Sequence, residues 1–335
     1  MRRVLTSEIL SASMERRFHG RQAEEADHLV RFDYNQCNAM ANRRSVDVRH
    51  VARHFCGNMI RRLVFSKRYF AEPPLAPSAG AGPGPDEVEH VNALFTLLNY
   101  VYSFCISDYF PVSIGLDLDG HEKDSEGRPL LSLEEIKAQA AWALAEMMNK
   151  PEIMEKAMDE LNTVVGKERL VQESNIPHLN YLKACIREAF RMHPYHPFNP
   201  PHVAMEDTTI VGYLIPKDSH VLISRVGLGR NPNIWLDPHE FQPERHLMNS
   251  SNVVLTEPGL RFMSFSTGRR GCPGVSLGSS VKVMLLARLL QGFSWTKLPG
   301  VQTIELKESP TSIALAEPLI LQAEPRLPVH LYESI

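Results

Sequence analysis

One cysteine in this chain sits where a sulfur could do chemistry. Cys272 lies in Phe265-Ser266-Thr267-Gly268-Arg269-Arg270-Gly271-Cys272-Pro273-Gly274, a tight cationic turn ahead of an apolar helical pattern. The thiolate, not the thiol, binds metal, so a cysteine of ordinary pKa ~8.5 must first be pulled down by cations or a helix N-terminus. Arg269 and Arg270 supply the cations. Pro273, with its fixed φ and missing N–H, suits a first helical position and would leave Cys272 beside the positive end of the next helix. Gly268, Gly271 and Gly274 let the backbone approach something flat and bulky. The competing reading is a structural cysteine in a glycine-rich turn, since buried cysteine usually acts as a small hydrophobe.

Two further clusters carry charge in a pattern. Glu188-Ala189-Phe190-Arg191 puts a carboxylate and a guanidinium three apart on one helical face, where they are neighbours. Alone, such a pair is a surface contact worth ~0.5 kcal/mol or less. Phe241-Gln242-Pro243-Glu244-Arg245-His246 follows, with a second arginine after a proline-rich stretch.

Together these strings resemble the cytochromes P450. Phe265, Gly268, Arg270, Cys272 and Gly274 stand at the spacing of that family's haem loop, and Glu188, Arg191 and Arg245 at its E-x-x-R and P-E-R elements. The resemblance implies a mainly α fold with small β-sheets, haem b as cofactor and Cys272 as the proximal iron ligand. It also implies a propionate contact at Arg270 and a second at His202, and Phe198 and Asn199 in the substrate pocket. Thiolate ligation pushes electron density to iron and favours O–O cleavage. Glu188, Arg191 and Arg245 become a structural network under the haem, where losing one partner would strand a buried charge at ~3–5 kcal/mol. Arg245-His246, Asn199-Pro200-Pro201-His202-Val203-Ala204-Met205 and the cysteine loop are most similar to the plant amino-acid N-monooxygenases. Those enzymes convert an amino acid to an aldoxime in cyanogenic glucoside and glucosinolate pathways. Implied with them are O₂, electrons from NADPH through a cytochrome P450 reductase, and an amino-acid substrate.

The chain departs from the family pattern in three places. Met1-Arg2-Arg3-Val4-Leu5 reads as the middle of a helix whose preceding tryptophan would hold a propionate. Family members sit on the cytosolic face of the endoplasmic reticulum through an N-terminal anchor; this chain shows none, which implies a cytoplasmic place. Gly120-His121-Glu122-Lys123 runs almost at once into Gly127-Arg128-Pro129-Leu130, where relatives carry further helices. The helix from Leu133 to Asn149 joins the two ends of the helix that crosses the distal haem face, without its oxygen-handling middle, at Gln139 to Trp142. Crossing a ~30 Å domain takes about 20 helical residues. The expectation is one partial P450 domain over 1–335: residues 1–150 helix-rich with an incomplete distal part, 151–335 the helical and β haem-binding part. Two functions follow, an active haem-thiolate monooxygenase or a catalytically incompetent truncated remnant of one.

The elements that must position these residues are partly legible. Residues 4–63 predict helices, 73–85 a Pro/Gly/Ala-rich loop, and Asp86 a cap for an apolar helix from Val88. The longest uncharged run, 91–107, carries Asn92, Thr96, Asn99, Tyr100 and Ser103 and reads as a buried or interfacial helix rather than a span. Ser132-Leu133-Glu134-Glu135 reads as a capping box, and Pro151 as a first helical residue. One helix runs to Val165 before Gly166, and another from about Tyr181 to Met192. Thr208 to Val211 and Val221 to Ser224 read as short strands. Val281, Leu285 and Leu289 predict a helix after the cysteine with one buried face.

Composition excludes other classes. With 335 residues, 43% hydrophobic and 22% charged, the chain can bury a sizeable core. A net charge of −3 gives no basic stripe for nucleic acid. Five cysteines, at 37, 56, 105, 185 and 272, contain no C-x-x-C pair, so neither a disulfide framework nor a zinc site is indicated.

Overall fold

The computed structural model describes residues 11–39, 45–68, 131–194, 196–199, 201–247, 252–268, 271–309 and 315–334. The readings made for 73–85, 86–88, 91–107 and 117–129, and for Arg270, lie outside these residues.

The described architecture is mainly α with small sheets. Helices α1 (Ala12–Ala39) and α2 (Val48–Phe65) flank a short strand β1 (Ser45–Asp47). Asp47 starts α2, its carboxylate accepting from the N–H groups of Arg49 and His50. Next come α3 (Leu131–Asn149), α4 (Pro151–Val164) and α5 (Asn180–Met192). α4 begins on Pro151, as a proline free of donor duty should, and it ends before Gly166. α3 starts at Leu131, so Ser132 lies inside the helix rather than capping it. After α5 the chain forms two hairpin-like pairs, β2 (His202–Val203) with β5 (His220–Val221) and β3 (Thr208–Ile210) with β4 (Tyr213–Ile215). Strand pairing thus ends one residue before Val211, and Ile223 and Ser224 lie beyond β5. Val211 and Gly212 turn the β3–β4 hairpin with φ of 50° and 84°, the two positive values that a type I′ turn needs.

A short helix α6 (Arg225–Gly229) and a 3₁₀ turn (Pro243–His246) precede α7 (Val275–Gly292). α7 runs straight into β6 (Phe293–Thr296), and β7 (Ile320–Pro325) forms the middle of an antiparallel sheet in the order β1-β7-β6. A last turn of helix, α8 (His330–Glu333), stacks Tyr332 on Tyr34 of α1 with centroids 4.5 Å apart.

α5 and α7 carry the core. Every residue of α5 from Leu182 to Met192 is buried, including Lys183, Arg187, Glu188 and Arg191. A helix buried all round with four charges in it must satisfy them internally, and here they reach the loops that follow. On α7, Val281, Leu285 and Leu289 are buried as their spacing predicts. α3 is pinned through its second half: Trp142, fully buried, stacks on His193 at 3.8 Å and 5°, and Glu146 meets His193 Nε2 at 2.8 Å.

Candidate functional site

The cysteine loop is closed by its own backbone. Cys272 N–H donates to the Phe265 carbonyl at 2.8 Å and Gly271 N–H to the Gly268 carbonyl at 3.0 Å. Ser266 and Gly268 hold φ of 58° and 60°, which lets the chain reverse so tightly. α7 begins two residues after Pro273, with Gly274 as its cap and Gly278 N–H returning to the Gly274 carbonyl at 2.8 Å. Pro273 is therefore not the first helical residue as predicted. It stiffens the approach to the cap, and Cys272 stands three residues ahead of the first helical residue.

Among the described cysteines, Cys37, Cys56 and Cys185 are buried and Cys272 is exposed. Burial pushes the Cys185 thiol well up, so that sulfur stays protonated. Phe265 sits edge-on to Phe190 of α5, centroids 5.5 Å apart, and the Lys282 ammonium of α7 lies 4.4 Å from the Phe190 ring and 5.4 Å from Phe265. A cation over two aromatic faces ties the loop to both core helices.

A haem bound through sulfur needs a thiol turned outward and a backbone with no side chain in the way. Both are present: Cys272 Sγ belongs to an exposed residue, and a Cβ added at Gly268 would meet nothing within 4 Å. The loop fits that group on its thiolate side.

Behind the loop lies a buried charge network. Glu188 and Arg191 are wholly buried. Arg191 grips Glu188 with two hydrogen bonds, Nε to Oε2 at 2.8 Å and Nη2 to Oε1 at 2.7 Å. Arg245 Nε reaches the same Oε1 at 3.2 Å, His246 Nε2 meets Oε2 at 2.8 Å, and Gln242 N–H donates to Oε1 at 3.0 Å. Burial alone would raise the Glu188 pKa, but the donors from Arg191 and His246 outweigh it and hold the carboxyl at about 2. Burial keeps His246 neutral, against the pull of Glu188. The remaining donors thread the loop between α6 and the 3₁₀ turn: Arg191 Nη1 to the carbonyls of Gly229 at 2.5 Å and Pro238 at 2.7 Å, Arg245 to those of Leu236 and Asp237. Gly229 is required there, because a Cβ would lie 2.1 Å from the Arg191 carbonyl oxygen.

The structure thus brings Glu188, Arg191 and Arg245 together and places Phe265 against Cys272. Sequence reasoning missed His246 as a member of the network; its adjacency to Arg245 in Pro243-Glu244-Arg245-His246 was the available signal. Glu244 of the same string turns away, to Tyr181 Oη at 2.9 Å and Lys156 Nζ at 2.6 Å. His202 is half-buried in β2, opposite Val221. Phe198 is 46% exposed beside Ser224, whereas Asn199 is 2% exposed and reaches toward the cysteine loop.

Residues 138–322 match the family model for cytochrome P450, and the chain is 52% identical to the tyrosine N-monooxygenase of Sorghum bicolor over all of its own length and 70% of the relative's. The chain belongs to the cytochrome P450 family. Valine N-monooxygenase 1 of Manihot esculenta (47% identical, 71% of its length) and tryptophan N-monooxygenase 1 of Arabidopsis thaliana (46%, 72%) also match over the whole chain. A zebra fish cytochrome P450 solved with progesterone superposes over 97% of this P450 chain and 81% of its own, with a TM-score of 0.71 at 23% identity, which shows the fold. The Sorghum alignment runs 395 positions against 335 residues, so at least 60 positions fall opposite gaps in this P450. Among the described residues no helix is long and apolar enough to cross a membrane.

Proposed function

We propose that this P450 binds haem b through Cys272 and that its reaction is N-hydroxylation of an amino acid to an aldoxime, with O₂ and electrons delivered from NADPH by a cytochrome P450 reductase. The observation that carries the reading is an exposed cysteine in a closed glycine loop, in a chain 52% identical to a tyrosine N-monooxygenase. Bound haem supplies the oxygen-activating redox chemistry that side chains lack. The protein's part is to present one sulfur and exclude others. Cys272 Sγ binds the iron, the Phe265 carbonyl holds the Cys272 N–H, and Gly268 leaves a face for a flat ring. Arg270 and His202 are the propionate contacts, and Phe198 faces the substrate. Glu188, Arg191 and Arg245 fix the segment beneath and touch no reactant. Residues 1–335 form one partial P450 domain on this reading, and association with the endoplasmic reticulum is part of the proposal.

A second reading, a remnant that keeps the thiolate half without a working oxygen side, is favoured by one pair of observations. At least 60 aligned positions of the Sorghum enzyme have no counterpart here, and α3, at 19 residues, is about 28 Å long at 1.5 Å per residue. The experiment that tests both is reconstitution with haem and a reductase, read by the ferrous–CO spectrum and by product analysis across aromatic and aliphatic amino acids. A full-length relative is the positive control. The red-shifted Soret band of thiolate ligation with Cys272-dependent aldoxime supports the first reading. The band without aldoxime supports the second, and no band removes both.

A further inference from the structure

Two buried polar residues grip the cysteine loop from the side, and neither belongs to the Glu188 network. Asn199 is 2% exposed and Arg225 6%. The segments that carry them pair through backbone, Asn199 N–H to the Ile223 carbonyl at 3.0 Å and Arg225 N–H to the Pro197 carbonyl at 2.8 Å. Their side chains join as well, Arg225 Nε donating to Asn199 Oδ1 at 2.5 Å. From this unit three contacts reach the start of the loop and the two residues ahead of it. Asn199 Nδ2 meets Met263 Sδ at 2.6 Å and Ser266 Oγ at 3.5 Å, and Arg225 Nη1 donates to the Ser264 carbonyl at 3.5 Å.

The gripped residues, 263, 264 and 266, bracket Phe265, whose carbonyl receives the Cys272 N–H. Ser266 sits at φ 58°, a left-handed conformation that a non-glycine residue keeps only when its surroundings impose it. The amide of Asn199 is spent on both sides, its oxygen on Arg225 and its nitrogen on Met263 and Ser266. A substrate would find no free group there, so the pocket role expected for Asn199 passes to Phe198. Burial, and after it the Arg225 charge, hold the neighbouring His196 down to about 4.

We propose that Asn199 and Arg225 are positioning residues, a buried brace that holds 263–266 in its strained turn and thereby sets where the Cys272 sulfur is presented. The inference deepens the reading of Cys272 as a haem ligand and rests on it. A charge-assisted hydrogen bond in a dry setting is stronger than a neutral one, and removing Asn199 would take from Arg225 the oxygen that its Nε meets.

The test uses the full 335-residue chain and two variants, Asn199→Ala and Asn199→Asp; the second keeps the acceptor for Arg225 and discards the amide donor. Amide exchange is followed first in haem-free protein. Peptides covering 262–272 should exchange about tenfold faster in Asn199→Ala, with α4 unchanged and Asn199→Asp in between. After reconstitution, the ferrous–CO Soret band of Asn199→Ala should move from the red-shifted thiolate position toward the short-wavelength one. A merely structural residue would speed exchange throughout and lose haem without altering the band of what remains. Loop exchange and band position equal to the parent's overturn the brace. If Asn199→Ala yields no folded protein, Asn199→Asp decides alone, since parental loop exchange in it refutes the donor arm. If the parent itself shows no thiolate band, the ligand reading fails while the exchange experiment still judges the brace.

Discussion

Replacing Glu188 with glutamine removes one charge and almost no volume, so it isolates the electrostatics of the buried network. The carboxyl is held at about 2 against an ordinary 4.5, and each unit is about 1.4 kcal/mol, which gives roughly 3 kcal/mol of native-state stabilisation near neutral pH. The value agrees with the ~3–5 kcal/mol typical of breaking a buried pair from one side, and here Arg191, wholly buried, is the ion left behind. Because the folded pKa is depressed, the contribution is fully present above about 4.5 and disappears as pH falls toward about 2. Urea unfolding of parent and Glu188→Gln across that range should show a gap of about 3 kcal/mol near neutrality that narrows as acid titrates the parent's carboxylate. A gap below about 1 kcal/mol near neutrality, or one that stays constant into acid, would refute the argument that this carboxylate's charge holds the α5 end of the fold.

Other expected outcomes follow from single contacts. Cys272→Ser should abolish the red-shifted ferrous–CO band, and its persistence would remove Cys272 as the ligand. Arg245→Ala should cost about 2–3 kcal/mol, less than Glu188→Gln, because Arg191 and His246 still hold Glu188; the urea midpoint measures it, and normal haem content with unchanged stability would remove the claim. Gly229→Ala should destabilise by about 1–3 kcal/mol, since its Cβ would press on the Arg191 carbonyl oxygen at 2.1 Å, and a parental melting temperature would show that the contact relaxes freely. Lys282→Met, which keeps the stem and drops the ammonium, should cost about 0.5–2 kcal/mol in a melt, and no change would show that the cation between Phe190 and Phe265 is idle.

The parts of the site legible in the sequence were those encoded over a few consecutive residues. The loop from Phe265 to Gly274, the Glu188–Arg191 pair, the start of α4 on Pro151 and the buried stripe of α7 all follow from local spacing. The helix start after Cys272 was misplaced by two residues because proline before a cap and proline at a first helical position share the same fixed φ. Asn199 was read toward a pocket since nothing in its own string reveals Arg225, brought to it by backbone pairing of 197–199 with 223–225, or Ser266, which meets it only through the side chain. The sheet β1-β7-β6 was invisible for the same reason. Ser45–Asp47 is too short to show a period, and its partner lies at the other end of the chain.

That last pairing governs when the protein can be finished. Ser45 faces Gln322, Asp47 faces Ile320, and Val48 N–H donates to the Leu319 carbonyl at 3.0 Å. Nascent chains emerge at ~5–20 residues per second, so β1 waits roughly 15–60 s for the strand that completes it. Until then β1 and the start of α2 lack the partner that holds their backbone, although α1 and α2 can already pack on each other, and α2 on α3. A stop codon placed before Ile320 would therefore leave β1, far away in the sequence, without the strand it pairs with.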